Sequence, residues 1–196
     1  MRDMIKPTLS LFIICLVVSF CLAFVNGITK DTITERNAMD AEEQRKLVFS
    51  KADSFKPVEG WEGKDESGLV REVYAAYSGD NLVGYVFSAF PKGYGGEIAV
   101  TVGISSENKV TGVKIGSNSE TPGLGSKTAN GDFTGQYQGK DITKDFTVVK
   151  RPATADNEIQ AVSGATVSST AVTKAVQASA RLGSKLLREK DGGEVK

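Results

Sequence analysis

Ser163-Gly164-Ala165-Thr166, followed by Val167, Ser168 and Ser169, stands directly before a run with helical spacing. Two kinds of chemistry suit a hydroxyl-rich turn at that place. A Ser or Thr oxygen accepts a hydrogen bond from a free N–H of a first helical turn, which makes Ser168 or Ser169 a candidate cap and gives Gly164 the turn itself. Alternatively, the free N–H groups and the positive end of the helix dipole receive a phosphate, with the Thr166 hydroxyl beside it. A Gly-rich loop about forty residues upstream, Ser119-Glu120-Thr121-Pro122-Gly123-Leu124-Gly125, would then enclose the rest of a phosphorylated ligand. Other chemistries are excluded by composition. The chain has no His, so Ser-His-Asp and Cys-His catalysis and His-containing zinc sites are ruled out, and catalysis by side chains alone is not expected. Lys plus Arg number 24 against 24 Asp plus Glu, and this balance argues against a nucleic-acid binder, whose affinity rests on clustered cations.

The elements that would position these residues follow from the hydropathy pattern. From Leu69 onward, short apolar runs alternate with turn residues: LVREVYAAY, LVGYVFSAF, EIAVTVGI and KVTGVKI, broken by SGDN, PKGYGG and SSEN. β-Branched and aromatic residues alternating between such breaks predict four strands in a meander. The stretch from Gly116 to Asp141 is polar and Gly-rich, a length that is functional or disordered when it lacks structure of its own, and Thr147 to Lys150 reads as one further strand. Val172, Val176, Leu182 and Leu186, with Ala175 and Ser179 between them, predict a helix from about Ser169 to Glu189. PKGYGG is either a plain hairpin turn or a second loop of close approach through Gly93, Gly95 and Gly96, with Tyr94 as a neighbour of the ligand. Trp61, Phe87 and Phe90 are read as packing residues.

Leu9 to Val25 carries no charge, and Thr8 and Asn26 extend the run to nearly the length of a membrane span. Arg2 and Lys6 against Asp3 before it keep the N-terminus in the cytoplasm and send the rest across. A secretory signal is the competing reading, but the small-residue exit is poor and Phe20 before Cys21 does not suit a lipoprotein signal. Cys15 and Cys21 both fall in this segment, so no disulfide framework is expected beyond it. A helix from about Glu35 to Phe49 is predicted to lead away from the membrane, followed by a loop or linker, KPVEGWEGKDESG.

SETPGLG and SGAT, about forty residues apart and following a strand meander, resemble the FMN-binding domain family of the RnfG-type subunit of the Rnf ion-translocating ferredoxin:NAD oxidoreductase, akin to NqrC of the sodium-pumping NADH:quinone oxidoreductase. The likeness spans roughly residues 70–187 and agrees with a single N-terminal span. It implies one covalent FMN, joined through its phosphate to Thr166 by a flavin transferase that reads Ser163, Gly164 and Ala165. It implies a flavin wall from Glu120, Thr121, Gly123, Leu124 and Gly125, and no metal. This chain departs from the family signal at Gln160, where an Asp is common three residues before the motif, with Glu158 two residues earlier. The expected architecture is α+β, an antiparallel meander with a C-terminal helix preceded by one transmembrane helix. Residues 1–30 would form the cytoplasmic tail and anchor, 31–68 a helical stalk and linker, and 69–196 the FMN-binding domain on the extracytoplasmic face. The expected function is electron transfer between ferredoxin and NAD alongside other Rnf subunits, coupled to Na+ or H+ translocation. The chain would be an electron-carrying subunit without side-chain catalysis. A membrane-tethered surface flavoprotein or a phospholigand-binding module outside Rnf is the alternative.

Overall fold

The structure, a computed structural model, describes residues 2–192, with side chains over 7–30 and 39–190. The charges of Arg2, Asp3 and Lys6, on which the predicted sidedness rests, lie outside the described side chains. Helix α1 (Arg2–Val48) is continuous, so the predicted span and stalk helix are one element. The chain divides into two compact units, Met1–Glu42 and Glu43–Lys196.

In the first unit, Pro7–Lys30 is long and apolar enough to cross a membrane, its most apolar 18 residues having a mean hydropathy of 2.8. Its Leu, Ile, Val and Phe side chains are exposed around the helix, and Cys15 and Cys21 are unpaired thiols among them.

The second unit is built on a five-stranded antiparallel sheet in sequential order: β1 (Ser54–Pro57), β2 (Val70–Ser78), β3 (Asn81–Ala89), β4 (Ile98–Ser105) and β5 (Val110–Asn118). The meander is the predicted one with an added edge strand. Ser54–Pro57 pairs with Tyr74–Tyr77 of β2, although its sequence carries Ser, Lys and Pro. An edge strand tolerates these residues because one side of its backbone needs no ladder partner.

Alternation sends Phe87, Val100, Val102, Ile104, Val113 and Ile115 to one face, where they form the main core with helix α3 (Thr166–Gly192). Ala171, Val172, Ala175, Val176, Leu182 and Leu186 supply the helix side of that core, at the 3.6-residue period read from the sequence. Each fully buried Val or Leu there contributes about 1.5–3 kcal/mol. The opposite face, through Ala76 and Val86, packs on Val48 and Phe49 at the end of α1. Thr111 Oγ1 donates to the Val48 carbonyl at 2.6 Å, and Thr101 Oγ1 donates to Gln44 Oε1 at 3.0 Å. The sheet is therefore covered on both sides.

Two stretches read as loops are ordered. Trp61 is buried in the main core from the predicted linker. The Gly-rich connection after β5 folds into three short helical turns, Gly125–Ala129, α2 (Gly131–Thr134) and Gly135–Tyr137. It is held by Phe133 and Tyr137, four residues apart, whose rings meet edge to face at 5.8 Å. Tyr137 is fully buried; its hydroxyl lies 2.7 Å from Thr173 Oγ1 of α3. The strand read at residues 147–150 is β6 (Thr147–Val149). It pairs in parallel with β7 (Glu158–Gln160), which sequence reasoning missed, in a small second sheet just before the SGAT turn.

Candidate functional site

Helix α3 opens at Thr166, three residues earlier than predicted. Ser168 and Ser169 are therefore inside the helix and do not cap it. Ser169 Oγ donates to the Ala165 carbonyl at 2.9 Å and accepts from the Val162 N–H at 3.0 Å, which ties the loop after Gln160 to the first turn. Ala165 is buried, and its N–H donates to the Val162 carbonyl at 3.0 Å. Gly164 takes φ +77°, left-handed backbone that an L side chain adopts only with strain. Ser163 and Gly164 are exposed and Thr166 half-buried. By helix geometry the N–H groups of Thr166 to Ser168 project from the helix end without an intrahelical acceptor, beside the Thr166 hydroxyl. Thr170 Oγ1 donates to the Thr166 carbonyl at 2.8 Å, closing that turn from the other side.

The SETPGLG loop lies against this turn. Leu124 is 46% exposed, and a Cβ on Gly164 would stand 3.2 Å from Leu124 Cδ2, so the leucine leans on the SGAT backbone. Glu120 is only 6% exposed. Its Oε2 accepts from Ser168 Oγ at 2.6 Å, and its Oε1 accepts from the Gly95 N–H at 3.1 Å. One carboxylate thus joins the SETPGLG loop, the PKGYGG loop and the first turn of α3, with its negative charge at the positive end of the helix. The glycines around it are required by space: a Cβ on Gly93 or on Gly125 would stand 2.2 Å from a Glu120 carboxylate oxygen. PKGYGG is therefore a turn whose Gly93 and Gly95 pack closely on Glu120 and Ser119 of the chain itself.

Of the residues expected around a ligand, Ser163, Gly164, Ala165, Thr166, Leu124, Gly125 and Glu120 come together. The Glu120 carboxylate is directed into the protein, toward Ser168 and Gly95. Thr121, Pro122 and Gly123 are exposed at the loop's outer turn, where the Gly123 N–H donates to Ser126 Oγ at 2.9 Å. Tyr94 is 76% exposed.

A hollow of about 440 Å³ opens beside Thr166 along α3. Its walls include Leu69, Pro91, Lys92, Val167, Thr170 and Lys174. Sequence reasoning missed these residues; the available signal was the four-residue spacing of Thr166, Thr170 and Lys174, which places them on one helix face. Among the described residues no group of acidic, Cys or His side chains is arranged to hold a metal ion.

The segment entering the motif is fixed by charge. Glu158 of β7 accepts two hydrogen bonds from Arg151, at 2.9 and 2.6 Å, and others from the backbone N–H groups of Thr154 and Ala155. The Arg151 guanidinium, followed by the Thr154 N–H, lowers the Glu158 carboxyl to about 2. Gln160 is held by a pair of hydrogen bonds with Gln136: its N–H donates to Gln136 Oε1 at 2.7 Å, and its carbonyl accepts from Gln136 Nε2 at 3.2 Å.

These features fit a flavin mononucleotide. There is a hydroxyl and a set of free N–H groups for a phosphate, and an adjoining hollow with apolar walls and two cations.

Residues 93–181 match the FMN-binding domain family. The chain is 37% identical over 184 residues to the RnfG subunit of the Na(+)-translocating ferredoxin:NAD(+) oxidoreductase complex of Acetobacterium woodii, covering 89% of this chain and 88% of that one. It is 34% identical to the corresponding subunit of the proton-translocating ferredoxin:NAD(+) oxidoreductase complex of Clostridium ljungdahlii, over 87% and 86%. The crystal structure of Shewanella oneidensis NqrC superposes with a TM-score of 0.53 at 17% identity, covering 75% and 74% of the two chains, a likeness of fold. The apolar stretch of α1 fits the membrane anchor of such a protein. The chain belongs to the RnfG family of ion-translocating ferredoxin:NAD(+) oxidoreductase subunits and carries its FMN-binding domain.

Proposed function

We propose that this chain is the covalent-FMN electron-transfer subunit of an Rnf complex, working between ferredoxin and NAD in a process coupled to Na+ or H+ translocation. The observation that carries the reading is the placement of Thr166: half-buried first residue of α3, at the helix end whose N–H groups lack intrahelical acceptors, with a hollow lined by apolar residues and two lysines adjoining it. One FMN would be held per chain, its phosphate esterified to Thr166 Oγ1 by a flavin transferase that reads Ser163, Gly164 and Ala165. The anchor would cross the membrane once, with the N-terminus cytoplasmic and the flavin domain on the extracytoplasmic face beside the other Rnf subunits.

The flavin, when bound, supplies the exchange of electrons; the chain supplies its position and surroundings. Thr166 is an attachment point, and neither acid, base nor nucleophile in turnover. Glu120 holds the Ser168 hydroxyl and the Gly95 N–H, so that the SGAT turn and the two glycine loops keep one arrangement. Leu124 and Val167, both exposed beside the turn, and Leu69 and Pro91 in the hollow would supply apolar surface against a ring. Water displaced from that surface by a bound ring would strengthen the charges that act on it.

The test is flavin fluorescence in a denaturing gel, using full chain produced together with a flavin transferase. Wild type is expected to fluoresce and Thr166→Val to be dark. A fluorescent Thr166→Val band would remove Thr166 as the attachment point. A dark wild-type band would remove the covalent reading and leave a module that binds a phosphorylated ligand.

A further inference from the structure

The hollow beside Thr166 has an unbalanced lining. Its charged residues are Lys92, from the PKGYGG loop, and Lys174, two helical turns beyond Thr166 on the same face of α3; no acidic side chain lines it among the described residues. Neither lysine is in an ion pair among the described residues. Further along α3, Arg181 pairs with Asp145 at 2.9 Å and Lys185 with Glu66 at 2.6 Å. Beside Lys92, Glu97 is taken by Arg71. Eight residues of helix put Lys174 about 12 Å along the axis from Thr166, on the border with a second hollow lined by Asp65, Glu66 and Asp145, so two exposed cations outside any described ion pair line the hollow beside Thr166.

We propose that Lys92 and Lys174 set the reduction potential of the flavin by stabilising the charge that its ring acquires on reduction. The inference rests on the covalent-FMN reading above. In a two-electron reduction near neutral pH the ring takes up two electrons and one proton, both electrons coming from an external reductant, and is left with one net negative charge on its pyrimidine side. A cation beside that charge favours the reduced form, and more strongly once the ring has displaced water from the hollow. Lys92 and Lys174 touch no reacting atom through a covalent step; they are positioning charges. The apolar remainder of the wall, Leu69, Pro91 and Ala171, gives the field low-dielectric surroundings.

The experiment uses the full chain, flavinylated by co-production with a flavin transferase, as wild type, Lys92→Gln, Lys174→Gln, the double variant and Lys174→Arg. Each is titrated with dithionite against a reference dye, and covalent flavin is measured by in-gel fluorescence. Each Lys→Gln change is expected to lower the ratio of reduced to oxidised flavin at a fixed potential about tenfold, a fall of about 30 mV for a two-electron couple. Lys174→Arg should keep the wild-type ratio, a rescue that loss of packing would not give. Fully flavinylated Gln variants with the wild-type ratio would overturn the inference while leaving the covalent flavin standing. Loss of covalent flavin from the Gln variants alone would also overturn it, because the lysines would then serve attachment. No covalent flavin in wild type would overturn the proposed function, and this inference with it.

Discussion

Glu120 concentrates more of the site's geometry than any other side chain. A carboxylate removed from water is costly unless its oxygens find donors, and here one oxygen takes the Ser168 hydroxyl and the other the Gly95 N–H. Glu120→Ala would leave the buried Ser168 hydroxyl without its acceptor and the Gly95 N–H to water. We expect a loss of about 2–3 kcal/mol, read as a lower midpoint in urea unfolding with an unchanged slope. Glu120→Gln keeps the shape and one acceptor oxygen and should lose less than half as much. A larger loss for Gln than for Ala would mean that these hydrogen bonds are not what Glu120 contributes. The same residue shows what a sequence hides. SETPGLG marks the right loop, but an acid in a glycine-rich stretch reads as a surface residue facing a ligand. Its partners are 25 and 48 residues away in sequence, and only the folded chain brings them to it.

At the scale of elements, the turn bearing the motif is prepared by β7 and the loop before it. Glu158 organises that loop through Arg151 and the Thr154 and Ala155 N–H groups, and its carboxyl is lowered from 4.5 to about 2. A depressed carboxyl contributes stability that is fully present above its unfolded value and is lost as pH falls through its folded value. The loop should therefore stay protected near neutrality and open progressively from about pH 4.5 down to about 2. Hydrogen exchange at the Thr154 and Ala155 amides checks this; rates that follow intrinsic pH dependence alone over that range would refute it. Elements with a clear period are legible in the sequence: the four long strands, and the helix carrying Val172, Val176, Leu182 and Leu186. Those that depend on a partner are not. β1 has only four residues with Pro at its end, and β7 is a strand only because β6 lies beside it. Sequence places the start of α3 three residues late because Ser168 and Ser169 have the composition of a cap while serving, inside the helix, as ties to Glu120 and Val162. Lys92 and Lys174 are invisible for a related reason, since a lone lysine carries no local signal of the hollow it faces.

For the whole molecule, the two units divide the chain at Glu42 and Glu43, inside α1. The last turn of that helix belongs to the second unit, because Val48 and Phe49 cover the sheet face that α3 leaves open. A chain beginning at Glu43 should fold and accept flavin like the full chain. A chain beginning at Ser50 uncovers Ala76 and Val86, and should be less stable by about 3–6 kcal/mol, the sum of two buried apolar side chains. Thermal unfolding of the two truncated forms measures the difference, and equal midpoints would show that the end of α1 contributes nothing to the domain.

Thr166 is the first residue of a 27-residue helix whose middle and far turns, through Val176, Leu182 and Leu186, are fixed in the core. A cofactor fastened there hangs from a post and not from a loop. If attached there, its wandering would be confined to a single side chain and the cofactor's own linker, and the orientational freedom that a diffusing carrier gives up at each encounter would be given up once, on attachment. Successive electrons would then meet the same gap to donor and acceptor, and turnover would depend on the motion of the whole domain or of its neighbours, with little left to local search.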